Sequence, residues 1–259
     1  MIRKSIVVLL LVLGLMCSVA AAAEDVTFKS TQKWDGETLT LTGKLWKPSG
    51  NGPFPAIVML HGCAYTEEIL AYLSIWANRF ADWGYASLLV DSFGPRGKKQ
   101  ICDQLDYISF TVRAQDAYDA KSYLQKLAII KGNNISVVGW SHGGVTALRV
   151  ATTMNEAGSF NTTVAFYPYC PSQLPSHNTP LLILIGEKDD WCPAANCSNM
   201  VLTEKDKHEV VLKVYPDASH AFAFEGIDMI NQGHILKYDP KATADAAIQV
   251  KGFLGKHIK

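Results

Sequence analysis

The chain has 259 residues, enough for one large domain with a buried core, and its 24 basic residues balance 24 acidic ones. No basic stripe or charge run stands out, which leaves nothing for a nucleic acid to recognise. No repeat or low-complexity segment breaks the pattern.

The first 23 residues stand apart. Arg3 and Lys4 form a basic start, Ile6 to Met16 is an apolar run, and small residues follow from Ser18 to Ala23. This order is that of a secretory signal, with cleavage expected between Ala21 and Glu24. The apolar run is short for a membrane span. Cys17 follows Met16, where a lipid-attachment motif wants a small residue. The expectation is a signal peptide over 1–23, a domain over 24–259, and a periplasmic or secreted product with no stable membrane insertion. Export makes an oxidising environment, in which Cys63, Cys102, Cys170, Cys192 and Cys197 can form up to two bridges and leave one thiol. Spacing does not fix the connectivity. Loops at the carboxyl ends of neighbouring strands favour Cys63 with Cys102 and Cys170 with Cys197. No His/Cys spacing resembles a closed zinc site.

In chain order, Val26 to Ser30 and Thr38 to Trp46 alternate and predict an antiparallel entry hairpin. A Pro/Gly/Asn loop leads to a buried strand from Pro55 to Leu60, ending in His61-Gly62-Cys63-Ala64. A helix is predicted from Glu67 to Trp83, a strand from Tyr85 to Val90, and a long helix from Tyr107 to Leu127. The strand Ile135 to Gly139 and a helix from Val145 to Met154 flank Gly139-Trp140-Ser141-His142-Gly143. Strands at Thr162 to Tyr167, Leu181 to Gly186 and Val210 to Tyr215 follow, with helices at Ala194 to Thr203 and Lys241 to Leu254. Strands alternating with helices from Pro55 onward mean an α/β fold, with a mostly parallel central sheet, helices on both faces and N-terminal antiparallel strands.

Gly-x-Ser-x-Gly between a strand and a helix describes a nucleophile elbow. A serine hydroxyl is inert near neutral pH without a base, so a histidine and an orienting carboxylate are required. Glu187-Lys188-Asp189-Asp190 follows a buried strand, and Asp189 is the expected acid, with Asp190 as its rival. His220 lies in the loop after the next strand and is the expected base; His234, in a later loop, is the alternative. The backbone N–H groups of His142 and Cys63 are the expected oxyanion donors. Trp191, Phe93 and Phe222 are expected pocket walls.

Six motifs in order are similar to the dienelactone hydrolase family of the α/β-hydrolase superfamily. They are His61-Gly62-Cys63, Asp91-Ser92-Phe93-Gly94-Pro95-Arg96-Gly97, Arg113-Ala114-x-Asp116-Ala117, Gly139-x-Ser141-x-Gly143-Gly144, Gly186-x-x-Asp189 and Tyr215-x-x-Ala218-x-His220-x-Phe222. The resemblance spans roughly Leu39 to Leu254. It implies a compact domain without a large lid, acting on small esters or lactones through Ser141, Asp189 and His220. Members that open dienelactones typically use a cysteine nucleophile, whereas position 141 is serine. They hold the substrate carboxylate with arginines; Arg96 is expected to face the site here, but Ala221-Phe222-Ala223-Phe224 follows His220 with no arginine. These departures point to an ester other than dienelactone.

The residues thus favour an exported serine hydrolase cleaving a small-molecule ester or lactone, with no metal or organic cofactor implied. An oligopeptidase-like peptidase and a non-catalytic binding protein on the same scaffold are the rival readings. The loop Glu225 to Asp239 is expected to border the pocket.

Overall fold

The computed structural model describes residues 23–202 and 208–258, so the expected signal peptide, apart from its last residue Ala23, lies outside the described residues. Ten strands and five α-helices follow in the order β1 (Glu24–Trp34), β2 (Glu37–Trp46), β3 (Phe54–Leu60), α1 (Glu67–Asp82), β4 (Ala86–Asp91), α2 (Phe110–Leu124), β5 (Ile130–Trp140), α3 (His142–Ala151), β6 (Thr163–Phe166), β7 (Leu181–Gly186), α4 (Ala194–Leu202), β8 (Val210–Tyr215), β9 (Asp228–Asn231), β10 (His234–Lys237) and α5 (Pro240–His257) among the described residues. Eight strands form one sheet in the order β1-β2-β4-β3-β5-β6-β7-β8. The first two junctions are antiparallel and the remainder parallel, so this is a mostly parallel sheet with an antiparallel entry.

The centre of the sheet reads as it is buried. Ala56–Leu60, Ile135–Trp140 and Leu181–Gly186 are covered on both faces, which is why these strands are nearly continuous apolar runs rather than alternating ones. Trp76 of α1 packs on Trp140 and Phe166, with ring centroids 6.0 and 4.9 Å away, and donates its Nε1–H to Ala223 O at 3.0 Å. Its truncation to alanine is worth about 3–5 kcal/mol. That contact joins a helix, the middle of the sheet and the chain just beyond His220.

Where element boundaries differ from the sequence expectation, local chemistry explains them. The entry hairpin runs longer because Asp35 and Gly36 both adopt positive φ (51° and 83°), the two-residue turn that matches strand twist. Helix α2 starts at Phe110, not Tyr107, because the Ser109 side chain accepts the Val112 N–H. Helix α5 starts at Pro240, not Lys241, because Asp239 caps it with a carboxylate that accepts from Lys241 and Ala242 N–H groups at 2.9 Å. The small hairpin β9–β10 lies inside the stretch expected to be a loop; Gln232 and Gly233 supply its turn at φ 51° and 85°.

Two disulfides are present, Cys63–Cys102 and Cys170–Cys197, while Cys192 is a buried free thiol. Among the described residues no helix is long and apolar enough to cross a membrane.

Candidate active site

Strand β5 ends at Trp140 and helix α3 begins at His142, leaving Ser141 alone at the corner with φ 55° and ψ −118°. A side chain in this region is strained by about 1–3 kcal/mol and persists only when its surroundings impose it. They do: Ser141 N donates to Phe166 O at 2.9 Å, and Val145 N donates to Ser141 O at 3.0 Å. The two flanking glycines are steric requirements. A Cβ at Gly139 would strike the Gly143 carbonyl, and one at Gly143 would strike the Leu60 and His61 carbonyls.

His220 follows β8 and is buried beside the corner. Its Nε2 lies 2.9 Å from Ser141 Oγ and its Nδ1 lies 2.8 Å from Asp189 Oδ2. A carboxylate can only accept, so Nδ1 carries the proton and Nε2 offers its lone pair to the serine hydroxyl. The other Asp189 oxygen accepts from the backbone N–H of Trp191 at 3.0 Å and of Cys192 at 2.7 Å. Asp190, one residue on, is exposed; it accepts from Ile235 N at 3.3 Å and lies 3.5 Å from His234 Nδ1. Neither Asp190 nor His234 is brought to Ser141. The imidazole of His220 is walled by Tyr167 and Trp191, with centroids 4.9 and 5.2 Å away.

Across the serine, the β3–α1 loop closes in. A Cβ on Gly62 would sit 3.5 Å from Ser141 Cβ, so the loop abuts Ser141. The first N–H groups of α3, starting at His142, have no partner within the helix. Cys63 is held by its bridge to Cys102, and Ile101 N donates to Cys63 O at 2.8 Å. Beneath both lies Arg113 of α2, fully buried. One guanidinium nitrogen, Nη2, donates to His61 O at 2.7 Å; Nη1 donates to Gly62 O at 3.2 Å and to His142 Nδ1 at 2.6 Å.

These contacts fix the charges. His142 accepts at Nδ1 and donates Nε2–H to Leu105 O at 2.9 Å, so it is neutral; burial, then Arg113, pushes its pKa down to about 3. His61 donates Nδ1–H to Gly62 O at 2.9 Å and accepts from Ser92 N at 3.4 Å. Burial and then Arg113 hold it too well below the usual imidazole range. Burial lowers Arg113 itself to about 9, still a cation at neutral pH.

A cleft of about 320 Å³ opens at Ser141, walled by Leu105, Phe110, Val145, Tyr169 and Trp191, with Asp106 its one charged lining residue. A smaller hollow of about 70 Å³ lies on the His220 side, closed by Ile227, Asn231 and Leu236 of the β9–β10 region. Of the expected pocket residues, Trp191 lines both spaces. Three others do not. Arg96 is withdrawn into a buried two-pronged pair with Asp116, both contacts 2.8 Å, because a buried guanidinium needs a carboxylate. Phe93 packs under His61 at 4.5 Å and beneath the Arg113 guanidinium, and Phe222 packs on Tyr167 and Tyr215 in the core. Leu105, Phe110, Val145, Tyr169 and Tyr167 carried no signal of their own in the sequence. Arg113 stood in a motif, but nothing there assigned it a place.

Asp189, Cys192 and His220 could in principle meet a metal, since one ligand atom of each lies within 4.8 Å of the others. The carboxylate and imidazole are already bonded to each other, and burial followed by Asp189 pushes the Cys192 thiol up, away from thiolate. This donor set does not suit an ion.

With this geometry in hand, the relatives are informative. A protein described as "Probable 2-oxo-3-(5-oxofuran-2-ylidene)propanoate lactonase" from Bradyrhizobium sp is 23% identical over 202 residues, covering 69% of this chain and 77% of that one. Acylamino-acid-releasing enzyme 1 of Oryza sativa subsp. japonica is 27% identical over 150 residues, covering 57% of this chain and 18% of that protein. The crystal structure of dienelactone hydrolase from Anabaena variabilis ATCC 29413 superposes with a TM-score of 0.65 at 17% identity, covering 93% of this chain and 100% of that one. The dienelactone hydrolase family model matches residues 41–258. The chain therefore belongs to the dienelactone hydrolase family and is a hydrolase of ester bonds.

Proposed function

We propose that the protein is an exported serine hydrolase that cleaves a small, uncharged carboxylic ester or lactone through an acyl-enzyme on Ser141. The observation that carries this reading is the unbroken hydrogen-bond chain from Ser141 Oγ through His220 to Asp189, at a strained strand-to-helix corner. His220 Nε2 takes the hydroxyl proton as Oγ bonds to the ester carbon, and the carbonyl electron pair moves onto oxygen. The N–H groups of Cys63 and His142 receive that oxyanion. Collapse breaks the bond to the alcohol oxygen, which takes the proton from His220. Water, deprotonated by the same nitrogen, then releases the acid and restores the serine. Asp189 keeps the imidazole in the tautomer that can do this and offsets the charge of the imidazolium.

The substrate class follows from the walls. The cleft at Ser141 is apolar apart from the exposed Asp106, and the nearest expected arginine, Arg96, is committed to Asp116. Among the described residues that line this cleft there is no cationic side chain to meet a substrate carboxylate. The name of the Bradyrhizobium relative supports lactone opening as a reaction of this scaffold. Export is supported by the basic-apolar-small order of the first 23 residues and by the two disulfides.

The test is labelling of the purified protein with a fluorophosphonate probe beside Ser141→Ala and His220→Ala. Labelling lost in both variants, with turnover of short chromogenic esters, supports the reading. No labelling of folded wild type overturns it. The similarity to the rice acylamino-acid-releasing enzyme favours one second reading, a peptidase, which aminoacyl-anilide cleavage would reveal.

A further inference from the structure

We propose that Arg113 is a positioning residue that aligns both backbone donors of the oxyanion hole at once, from behind. The inference rests on the serine-hydrolase reading above.

The first donor belongs to a particular peptide plane. The carbonyl of Gly62 and the N–H of Cys63 are the two ends of one trans peptide unit and point in opposite directions. Arg113 Nη1 pins the Gly62 oxygen at 3.2 Å, and Nη2 pins the preceding His61 oxygen at 2.7 Å. Holding the oxygen toward the guanidinium holds the Cys63 N–H away from it. A rotation of that plane would put a carbonyl where a donor is needed and would cost the Gly62 oxygen its bonds from Arg113 Nη1 and from His61 Nδ1. A cation on the carbonyl end also polarises the amide, making its N–H a stronger donor.

The second donor is His142, and Arg113 reaches it through the side chain. Nη1 donates to Nδ1 at 2.6 Å, while the opposite ring nitrogen is tied to Leu105 O at 2.9 Å. The imidazole is fixed at both ends, which fixes the first residue of α3 and with it the direction of its N–H. One planar fork therefore spans the two halves of the hole, which sit on segments about 80 residues apart in sequence.

Asp116, the nearest carboxylate in sequence, makes its two-pronged pair with Arg96 and also accepts from Gln32 Nε2 at 3.3 Å; it and Asp91 act on Arg113 through space, and among the described residues no carboxylate hydrogen-bonds to Arg113. A buried cation satisfied only by neutral acceptors is costly to keep. Its positive charge lies under the place where negative charge develops, where it is most useful in a low-dielectric interior.

The experiment compares wild type, Arg113→Gln and Arg113→Lys of the full chain on a short p-nitrophenyl ester, with a trifluoromethyl ketone as transition-state analogue. Arg113→Gln is expected to lower kcat by about 10²-fold, the scale of losing one oxyanion donor, with KM unchanged. Binding of the ketone should weaken by the same factor as kcat/KM. Lysine, a point charge that cannot span both segments, should recover only part. A folded Arg113→Gln with wild-type kcat and ketone affinity overturns the proposal. If Arg113→Gln does not fold, His142→Phe keeps the ring packing against Phe110 but removes the acceptor; unchanged kcat in that variant overturns it equally. Ser141-dependent labelling is measured in parallel. Its absence from wild type removes the serine reading and this inference with it, whereas its presence with an unaffected Arg113→Gln removes the Arg113 role alone.

Discussion

The two sides of Ser141 are built by opposite means. On the His220 side, consecutive loops after β7 and β8 bring a carboxylate and an imidazole together, and short-range backbone N–H groups of Trp191 and Cys192 hold the carboxylate. On the Cys63 side, one local bond, His61 Nδ1–H to Gly62 O at 2.9 Å, is joined by ties from distant segments. The β3–α1 loop is held by a bridge to Cys102 and by a guanidinium from α2, which is itself tied to a histidine of α3. In the proposed mechanism the first side is a set of side chains that move protons, and the second is a set of backbone groups aimed by side chains elsewhere. Damage to the first should remove activity without much effect on folding, and damage to the second should affect both.

The largest effect expected from this contrast is Asp189→Asn. An amide in that place lets His220 take the wrong tautomer, and kcat should fall by about 10⁴-fold with the melting temperature nearly unchanged. A loss below about tenfold would place the orienting carboxylate elsewhere. Next comes a pair of disulfide knockouts. Each should lose roughly 2–4 kcal/mol of stability in denaturant titrations. Only Cys63→Ser/Cys102→Ser should also lower kcat in the folded protein, because only that bridge carries an expected oxyanion donor. Equal kcat in both knockouts would erase the distinction between the two sides.

Acid titration sharpens the contrast further. His142 is neutral in the fold, with its pKa lowered by burial and by Arg113 to about 3, from the ordinary imidazole value of about 6.5. Between these values the unfolded chain binds a proton that the native chain does not. Stability is therefore fully present above about pH 6.5 and declines as pH falls toward 3, by up to about 1.4 kcal/mol per pH unit for this histidine. His61, lowered for the same reason, adds to the slope. Denaturant midpoints measured from pH 7 to 4 should fall, and His142→Phe should flatten the decline. The smallest effect is expected at Asp190→Asn: its carboxylate is exposed and its contacts with Ile235 N are long, so kcat should stay within about twofold and stability within about 0.5 kcal/mol.

The same contrast sets what the sequence reveals. The elbow, the buried strands and the loop acid and base are local patterns, and the chain order and apolar runs place them. Asp189 and Asp190 are adjacent in sequence, and only packing tells the inward one from the outward one. The β9–β10 hairpin escapes notice because its strands are four residues each and expose Met229, Ile230 and Ile235, which blurs the alternation. Arg96 and Arg113 look alike on the page. Which of two buried arginines takes the one carboxylate, Asp116, depends on helix α2 and the turn after β4 meeting in space. The pocket walls Leu105, Phe110 and Tyr169 come from three distant segments, none with a pattern of its own.

The β9–β10 hairpin also bears on how this scaffold can be varied. Its base is fastened on both sides: Lys237 N donates to His220 O at 3.0 Å, Tyr238 N to Ile227 O at 2.8 Å and Asp239 N to Phe222 O at 3.0 Å. Its tip, Gln232–Gly233, is a two-residue reversal away from those ties. Lengthening a loop whose ends are already clamped is cheap, about 0.6 kcal/mol for each doubling. The tip is therefore a graft point, where added residues would reach over Trp191 and reshape substrate choice while His220 stays seated.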